Sequence, residues 1–121
     1  MENIVRRLVK SHRAGAASAD ALFIGEGKPL GEDGDLSGIF KERVRTIDVG
    51  VQGVAGDVQV DRRYHGGPDR ALHQYPAEHY ARLADAFPAL REDFVPGCLG
   101  ENVSSSGLCE QDVFVGDVVR L

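Results

Sequence analysis

A chain of 121 residues is long enough for one compact domain and short for two. Its composition, with 42% hydrophobic and 27% charged residues, is that of a globular protein and excludes wholesale disorder. The formal net charge of −5 argues against a general nucleic-acid-binding protein, because such proteins carry a basic face. No apolar stretch approaches the roughly 20 residues that cross a bilayer, so no membrane span is predicted. We expect a cytoplasmic protein whose cysteines, Cys98 and Cys109, are free thiols.

Residues 1–18 are predicted to form an N-terminal extension, and residues 19–121 one domain. Apolar residues of the extension fall at helical spacing, and basic residues can occupy the opposite face. Such a helix could touch a membrane or a partner protein. The alternative, a short surface helix or a frayed arm, is favoured because the apolar face is short. The apolar residues are Ile4, Val5, Leu8 and Val9, and the basic ones are Arg6, Arg7, Lys10 and Arg13.

Short strands joined by glycine-rich loops are predicted along most of the domain. The apolar run at 21–24 indicates a buried strand, and a loop rich in Gly, Pro and Asp follows at 25–38. Apolar and polar residues alternate at 47–51 and at 58–61, which predicts two half-buried strands. The last β-rich segments are 113–115 and 118–121.

One α-helix is predicted near residues 76–87. Pro76 suits the first helical position, because its missing N–H has no partner there, and Pro88 ends the helix. An apolar stripe at helical spacing marks the buried face. The predicted fold class is therefore mainly β, a small β-barrel or an α+β domain with one inserted helix. The stripe consists of Tyr80, Leu83, Ala84 and Phe87.

The segment 62–75 concentrates arginine and histidine in an otherwise acidic chain. Gly66 and Gly67 let the backbone turn tightly, and their N–H groups can form a nest for an anion. Arg70 beside such a nest can hold a phosphate through two hydrogen bonds. The alternative is a Gly-Gly-Pro-Asp turn that joins two strands, with charges that are merely solvated.

Histidines at positions 65, 73 and 79 do not follow the spacing of zinc sites, so no metal ligand is predicted. A second polar group, Glu101 and Asn102, lies between glycines. Glu101 can accept hydrogen bonds or a proton, and Asn102 can both donate and accept. A structural turn is the alternative for this Gly-Glu-Asn segment.

These segments, taken in order, resemble the MOSC domain, which is named for the C-terminal domain of molybdenum cofactor sulfurase. Within that family the resemblance is to the YiiM-like bacterial branch, and it runs from about residue 21 to residue 121. His-Gly-Gly-Pro-Asp-Arg-Ala followed by Gly-Glu-Asn is specific in combination. The segments that carry the resemblance are 37–41, 53–57, 65–80, 100–104 and 115–117.

The resemblance implies a largely β fold with a barrel-like core that binds the molybdenum cofactor, a pterin dithiolene that carries a phosphate. It also implies the reduction of N-hydroxylated compounds, with an electron-donor protein as partner. Arg70 would contact the cofactor phosphate, and His65 would orient a neighbouring group. The cofactor-binding positions carried over are His65, Gly66, Gly67, Arg70, Glu101 and Asn102.

One departure from the family concerns the metal ligand. The cysteine that ligates molybdenum in the family lies beyond the Gly-Asp strand, and this sequence ends at Leu121. We expect the chain as given to lack molybdenum redox catalysis and to be marginally stable, poorly soluble or a homodimer. The alternatives to an oxidoreductase are a non-catalytic cofactor carrier, an inactive truncated remnant and a sulfur-carrier domain.

Overall fold

The computed structural model describes residues 17–30, 32, 35–37, 39–58, 66–117 and 119, so most of the predicted extension lies outside the described residues. In these ranges short strands dominate, and one α-helix, α1 (Glu78–Ala86), interrupts them. None of the helices there has the length and hydrophobicity that a membrane crossing needs. The strands are β1 (Ser18–Ile24), β2 (Lys28–Leu30), β3 (Asp35–Ser37), β4 (Glu42–Val44), β5 (Val49–Gly50), β6 (Gly53–Val54), β7 (Gln74–Pro76) and β8 (Val103–Ser106).

The main sheet has four strands in the order β4-β1-β8-β7. β1 runs antiparallel to both β4 and β8, and β7 runs parallel to β8. Two antiparallel ribbons, β2 with β3 and β5 with β6, complete the described strands. The mixed α/β character and the dominance of strands are confirmed. The barrel-like closure that the resemblance implies is not formed by the strands in the described ranges.

The core lies around the two central strands. Phe23 of β1 is 6% exposed and Val103 of β8 is 0% exposed. The strand predicted at 21–24 is confirmed as part of β1. β8 was not predicted, because its sequence, Val-Ser-Ser-Ser, lacks apolar alternation. Small serines suit this place, since β8 has a strand on each side and is covered on both faces.

The predicted helix is confirmed, but its start is wrong by two residues. Pro76 is the buried last residue of β7 and does not open the helix. Ala77 caps the helix and donates its N–H to the carbonyl oxygen of Ser105 at 2.7 Å, so the parallel strand pairing continues into the turn. At the other end α1 stops at Ala86, and Pro88 begins a 3-10 helix. Tyr80 and Ala84 of the predicted stripe are buried, whereas Phe87 is 54% exposed.

The predicted half-buried strand at 47–51 is wrong in extent and in burial. Only Val49–Gly50 is strand, and a tight turn at Val51 and Gln52 returns the chain to β6. Val51 lies in the turn and is 76% exposed, whereas Val54 of β6 is buried at 6% exposure. The predicted loop at 25–38 is also partly wrong, since β2 and β3 form a ribbon inside it.

The predicted strand at 113–115 is replaced by an irregular segment and a turn. The Asp117 carboxylate accepts a hydrogen bond from the backbone N–H of Phe114 at 2.9 Å, so a local turn bond takes the place of a strand ladder. Phe114 is 73% exposed. The other predicted strands, 58–61 and 118–121, lie largely outside the described residues.

A substitution at Gly25 tests the close approach between its backbone and that of Phe40. A Cβ at Gly25 would lie 2.1 Å from the carbonyl oxygen of Phe40, although the Gly25 φ is not in the left-handed region. We expect Gly25→Ala to lower the free energy of unfolding by about 2–3 kcal/mol, the range of overpacked sites. Urea denaturation measures it. Gly50→Ala is the matched control, because its nearest atom would be at 3.7 Å, and it should cause no loss. Equal losses in the two variants would contradict the steric explanation.

Candidate functional site

A buried carboxylate, Asp57, joins separate segments of the fold. The Lys41 ammonium group donates to Oδ1 of Asp57 at 2.6 Å, and the two side chains are only 6% and 5% exposed. The backbone N–H of Gly25 donates to the same oxygen at 2.8 Å. Both segments therefore reach Asp57 from the β1 and β4 side of the domain. Ion pairs removed from water in this way are costly to break, because a lone buried charge remains.

The Asn102 side chain is hydrogen-bonded to the other carboxylate oxygen of Asp57. Its amide nitrogen donates to Asp57 Oδ2 at 2.9 Å and to the carbonyl oxygen of Phe23 at 3.2 Å. Its amide oxygen accepts the backbone N–H of His73 at 3.1 Å. The Asn102 backbone also pairs with Phe23 and His73, at 2.8 Å each. Both amide protons and the amide oxygen are thus used inside the chain.

Glu101, the neighbour of Asn102, is fully buried. Its Oε2 accepts a hydrogen bond from the Tyr80 hydroxyl of α1. Its Oε1 has no hydrogen-bond partner among the described residues, and neither has the hydroxyl of Ser104. Burial, and then the bond to Glu101, raise the pKa of Tyr80 well above the usual range of tyrosine. Among the described residues, Glu101 therefore has a carboxylate oxygen whose hydrogen-bonding capacity is not used.

The 66–70 loop lies at the surface, unlike Glu101 and Asn102. Gly66 and Gly67 have φ values of 111° and 72°, which non-glycine residues rarely adopt. A Cβ at Gly67 would meet no atom of the described residues within 4 Å, so none of them fills the space beside this backbone. A 3-10 turn, Pro68–Arg70, follows and leaves Arg70 exposed. The loop can therefore admit an anion to its backbone and to a guanidinium group.

The topology brings the 66–70 loop and residues 100–102 to the same edge of the sheet. The loop precedes β7 and the Gly-Glu-Asn segment precedes β8, and these strands are parallel with Gln74 opposite Val103. Their junction is the contact between His73 and Asn102. Of the six predicted site residues, Glu101 and Asn102 lie inside, Gly66, Gly67 and Arg70 lie at the surface, and His65 lies outside the described residues.

Lys41, Asp57 and Tyr80 were not among the site residues predicted from the sequence. Lys41 and Asp57 belong to segments that carry the family resemblance, but they are 16 residues apart and no local pattern pairs them. Tyr80 was assigned to the apolar stripe of the helix, and its hydroxyl contact depends on tertiary packing. A charged residue at the end of a glycine-rich segment is the signal that could have pointed to Asp57.

Aromatic rings and histidines extend from β7 across the start of α1. Tyr75 lies 5.2 Å from the Tyr80 ring and 5.6 Å from the His79 ring, measured between centroids. His79 Nε2 lies 2.6 Å from Glu110 Oε2, and this hydrogen bond lowers the pKa of the exposed Glu110 carboxyl. Within the described residues no group of three His, Cys, Asp or Glu side chains could hold a metal ion.

The MOSC domain model matches residues 61–121, half of the chain, which includes the 66–70 loop and the Gly-Glu-Asn segment. The chain belongs to the MOSC domain family. The protein YiiM of Escherichia coli (strain K12) is 50% identical over 68 residues, which is 56% of this chain and 30% of YiiM. A Gibberella moniliformis protein named reductase is 33% identical over 69 residues, which is 57% of this chain and 12% of that protein.

A solved structure is also similar. The crystal structure of YiiM from Geobacillus stearothermophilus superposes with a TM-score of 0.55 at 28% sequence identity. The match covers 80% of this chain and 42% of that one. The chain therefore spans less than half the length of the relatives it matches.

The ion pair of Lys41 and Asp57 predicts a non-additive effect on stability. Lys41→Met and Asp57→Asn should each lower the free energy of unfolding by about 3 kcal/mol, because each leaves a buried group without its partner. The double variant should lose at least about 1 kcal/mol less than the sum of the two. Urea denaturation of all four proteins measures the cycle. Arg91→Ala, which removes a pair with Asp85 that is more than half exposed, should cost less than about 1 kcal/mol. Additive losses would contradict the pairing.

Tyr80→Phe tests the contact with Glu101. The variant leaves Glu101 without its donor, and we expect a loss of about 1–3 kcal/mol at neutral pH. Tyr75→Phe is the control, because Tyr75 lies beside Tyr80 and the Tyr80 bond to Glu101 stays intact. A loss in Tyr75→Phe as large as in Tyr80→Phe would contradict this assignment.

The raised pKa of Tyr80 predicts a loss of stability at alkaline pH. Above about pH 10 the unfolded chain releases the phenolic proton, whereas folded Tyr80 keeps it. The unfolded state then binds fewer protons, so the free energy of unfolding falls as pH rises. Thermal unfolding between neutral pH and pH 11 should show a smaller decline for Tyr80→Phe than for the wild type. Parallel curves for the two proteins would refute the prediction.

Proposed function

We propose that this chain binds the molybdenum cofactor and holds its phosphate with the 66–70 loop. The observation that carries the proposal is the loop itself, in a member of the MOSC family. Gly66 and Gly67 both have positive φ, no described residue fills the space beside Gly67, and the exposed Arg70 follows three residues after Gly67. Such a loop offers a phosphate both backbone N–H groups and the planar guanidinium group of an arginine.

The residues present fit the cofactor in two respects. The open space beside Gly67 admits a phosphate close to the backbone, and Arg70 supplies the charge. Deeper in the domain, Glu101 has an oxygen with no partner among the described residues, and a pterin carries N–H donors that a carboxylate accepts. When bound, the cofactor would supply a metal centre for two-electron chemistry.

The proposed contributions of the site residues differ. Gly66, Gly67 and Arg70 would bind the phosphate directly, and His65 would orient a neighbouring group. Glu101 would face the pterin. Asn102 would act indirectly, because its side-chain amide is already bonded to Asp57, Phe23 and His73.

Reduction of N-hydroxylated compounds, with electrons from a donor protein, is the proposed activity of the assembled enzyme. Similarity to YiiM and to a protein named reductase supports it. A non-catalytic carrier of the cofactor is the alternative, and both need the same phosphate site. Sulfur transfer through Cys109 is disfavoured, because burial and then the carboxylates of Glu78 and Asp112 raise its thiol pKa.

Arg70→Ala tests the phosphate site. We expect the wild-type chain, purified from cells that make the cofactor, to contain both molybdenum and pterin. Arg70→Ala should retain about tenfold less of each, the effect of losing a charge-assisted hydrogen bond. Molybdenum is measured by mass spectrometry and pterin by the fluorescence of its oxidised form. Arg91→Ala is the matched control, because Arg91 also stands in the last turn of a 3-10 helix that begins with proline.

Two results would decide against the proposal. One is a wild-type chain with the same trace of molybdenum and pterin whether or not the cells make the cofactor. The other is equal retention by the Arg70→Ala and Arg91→Ala variants. For the choice between enzyme and carrier, the loaded chain is given a chemical reductant and an N-hydroxylated base. Turnover supports the enzyme over the non-catalytic carrier.

A further inference from the structure

The interior network around Asp57 has a consequence for the direction of the Asn102 amide. An asparagine amide offers an oxygen that accepts and a nitrogen that donates, and these two ends have nearly the same shape. A carboxylate in an ion pair offers acceptors only. Asp57 Oδ2 and the carbonyl oxygen of Phe23 lie 2.9 and 3.2 Å from the Asn102 nitrogen, so that end must face them. The amide oxygen is left facing the backbone N–H of His73.

His73 stands between this network and the surface. Its N–H donates to the Asn102 side chain, and its carbonyl oxygen accepts from the backbone N–H groups of Asn102 and Val103 at 2.8 and 3.1 Å. Only two residues separate His73 from Arg70, the last residue of the 66–70 loop. The three bonds therefore fix the end of the loop against the edge of the sheet. The bond to the side-chain oxygen is the one that depends on Asp57.

We propose that Asp57 is a positioning residue, which orients the Asn102 amide so that it holds the His73 backbone and thereby the 66–70 loop. Lys41 supports this role, since its ammonium group 2.6 Å away keeps Asp57 in one place inside the domain. The role of the loop as a phosphate site rests on the proposed function, whereas the hold on His73 does not. Asp57 would affect cofactor binding without touching the cofactor.

Hydrogen exchange at the His73 amide tests the hold directly. In Asp57→Asn the new side chain can donate as well as accept, so residue 57 no longer imposes the direction of the Asn102 amide, and the longer bond to the Phe23 carbonyl oxygen is the constraint that remains on its nitrogen. In Asn102→Ala the acceptor is removed, while the bonds of Lys41 and Gly25 to Asp57 remain. We expect the His73 amide to exchange about tenfold faster in each variant, the change that loss of one hydrogen bond produces. Asn102→Ala keeps the test valid if Asp57→Asn does not fold.

A matched control separates positioning from general destabilisation. Ala84→Gly removes a buried methyl group from α1, which does not carry any residue of the network. Compared with this control at equal free energy of unfolding, the two network variants should show faster His73 exchange and about tenfold lower retention of molybdenum and pterin. Ala84→Gly itself should retain the cofactor as the wild type does.

The outcomes are distinguishable. His73 exchange in Asn102→Ala that equals exchange in Ala84→Gly would overturn the positioning role. Equal cofactor retention in all three variants, with His73 exchange faster in the network variants, would overturn the link from His73 to the loop. A wild-type chain that holds no cofactor would count against the proposed function, and the exchange result would still decide whether Asp57 positions His73.

Discussion

The ion pair between Lys41 and Asp57 is the interaction on which the candidate site depends. Both charged groups are buried, so separating them would leave an unpaired charge in the interior, which costs free energy. Through Gly25 and Asn102 the pair connects the end of β1 to the start of β8. Four segments that are separate in sequence, at Gly25, Lys41, Asp57 and Asn102, are therefore held in one relative arrangement at this edge of the sheet.

This arrangement divides the family motifs into an interior part and a surface part. Glu101 and Asn102 are buried. Glu101 accepts a hydrogen bond from Tyr80 of α1, and Asn102 donates one to Asp57, whereas the 66–70 loop lies at the surface, where a ligand can reach it. The division explains how two glycine-rich motifs can belong to one site without equal roles. A rigid interior lets a short surface loop keep its donors in place before the ligand arrives, which lowers the entropy that binding costs.

The parts of the fold predicted from the sequence are those with a local signal. The buried strand at Phe23 and the helix around Tyr80 follow from apolar runs and from helical spacing. β8 could not be predicted, because burial of Ser104 and its neighbours is imposed by the strands on each side. The exposed segment at Phe114 shows the opposite error, since β-rich residues without strand pairing in the described structure adopt a turn closed by Asp117.

For the candidate site, the sequence singled out residue types but could not predict their orientations. The sequence could suggest an anion-binding nest at Gly67 and Arg70, because tolerance of positive φ and a positive charge are each properties of a single residue type. The direction of the Asn102 amide depends on Asp57, a residue 45 positions away, and no local pattern carries that information. Contacts of this kind are decided by tertiary packing, so they emerge only when the strands are in place.

In the proposed site, the 66–70 loop binds the phosphate while Asn102 supports the loop from inside the domain. The most direct measurement follows the backbone amide resonances of Gly66 and Gly67, and the side-chain amide of Asn102, during titration with a phosphorylated pterin. We expect progressive shifts of the two glycine amide resonances and no shift of the Asn102 side-chain resonance. Shifts confined to the Asn102 side chain, with unchanged glycine amide resonances, would contradict phosphate binding by the 66–70 loop.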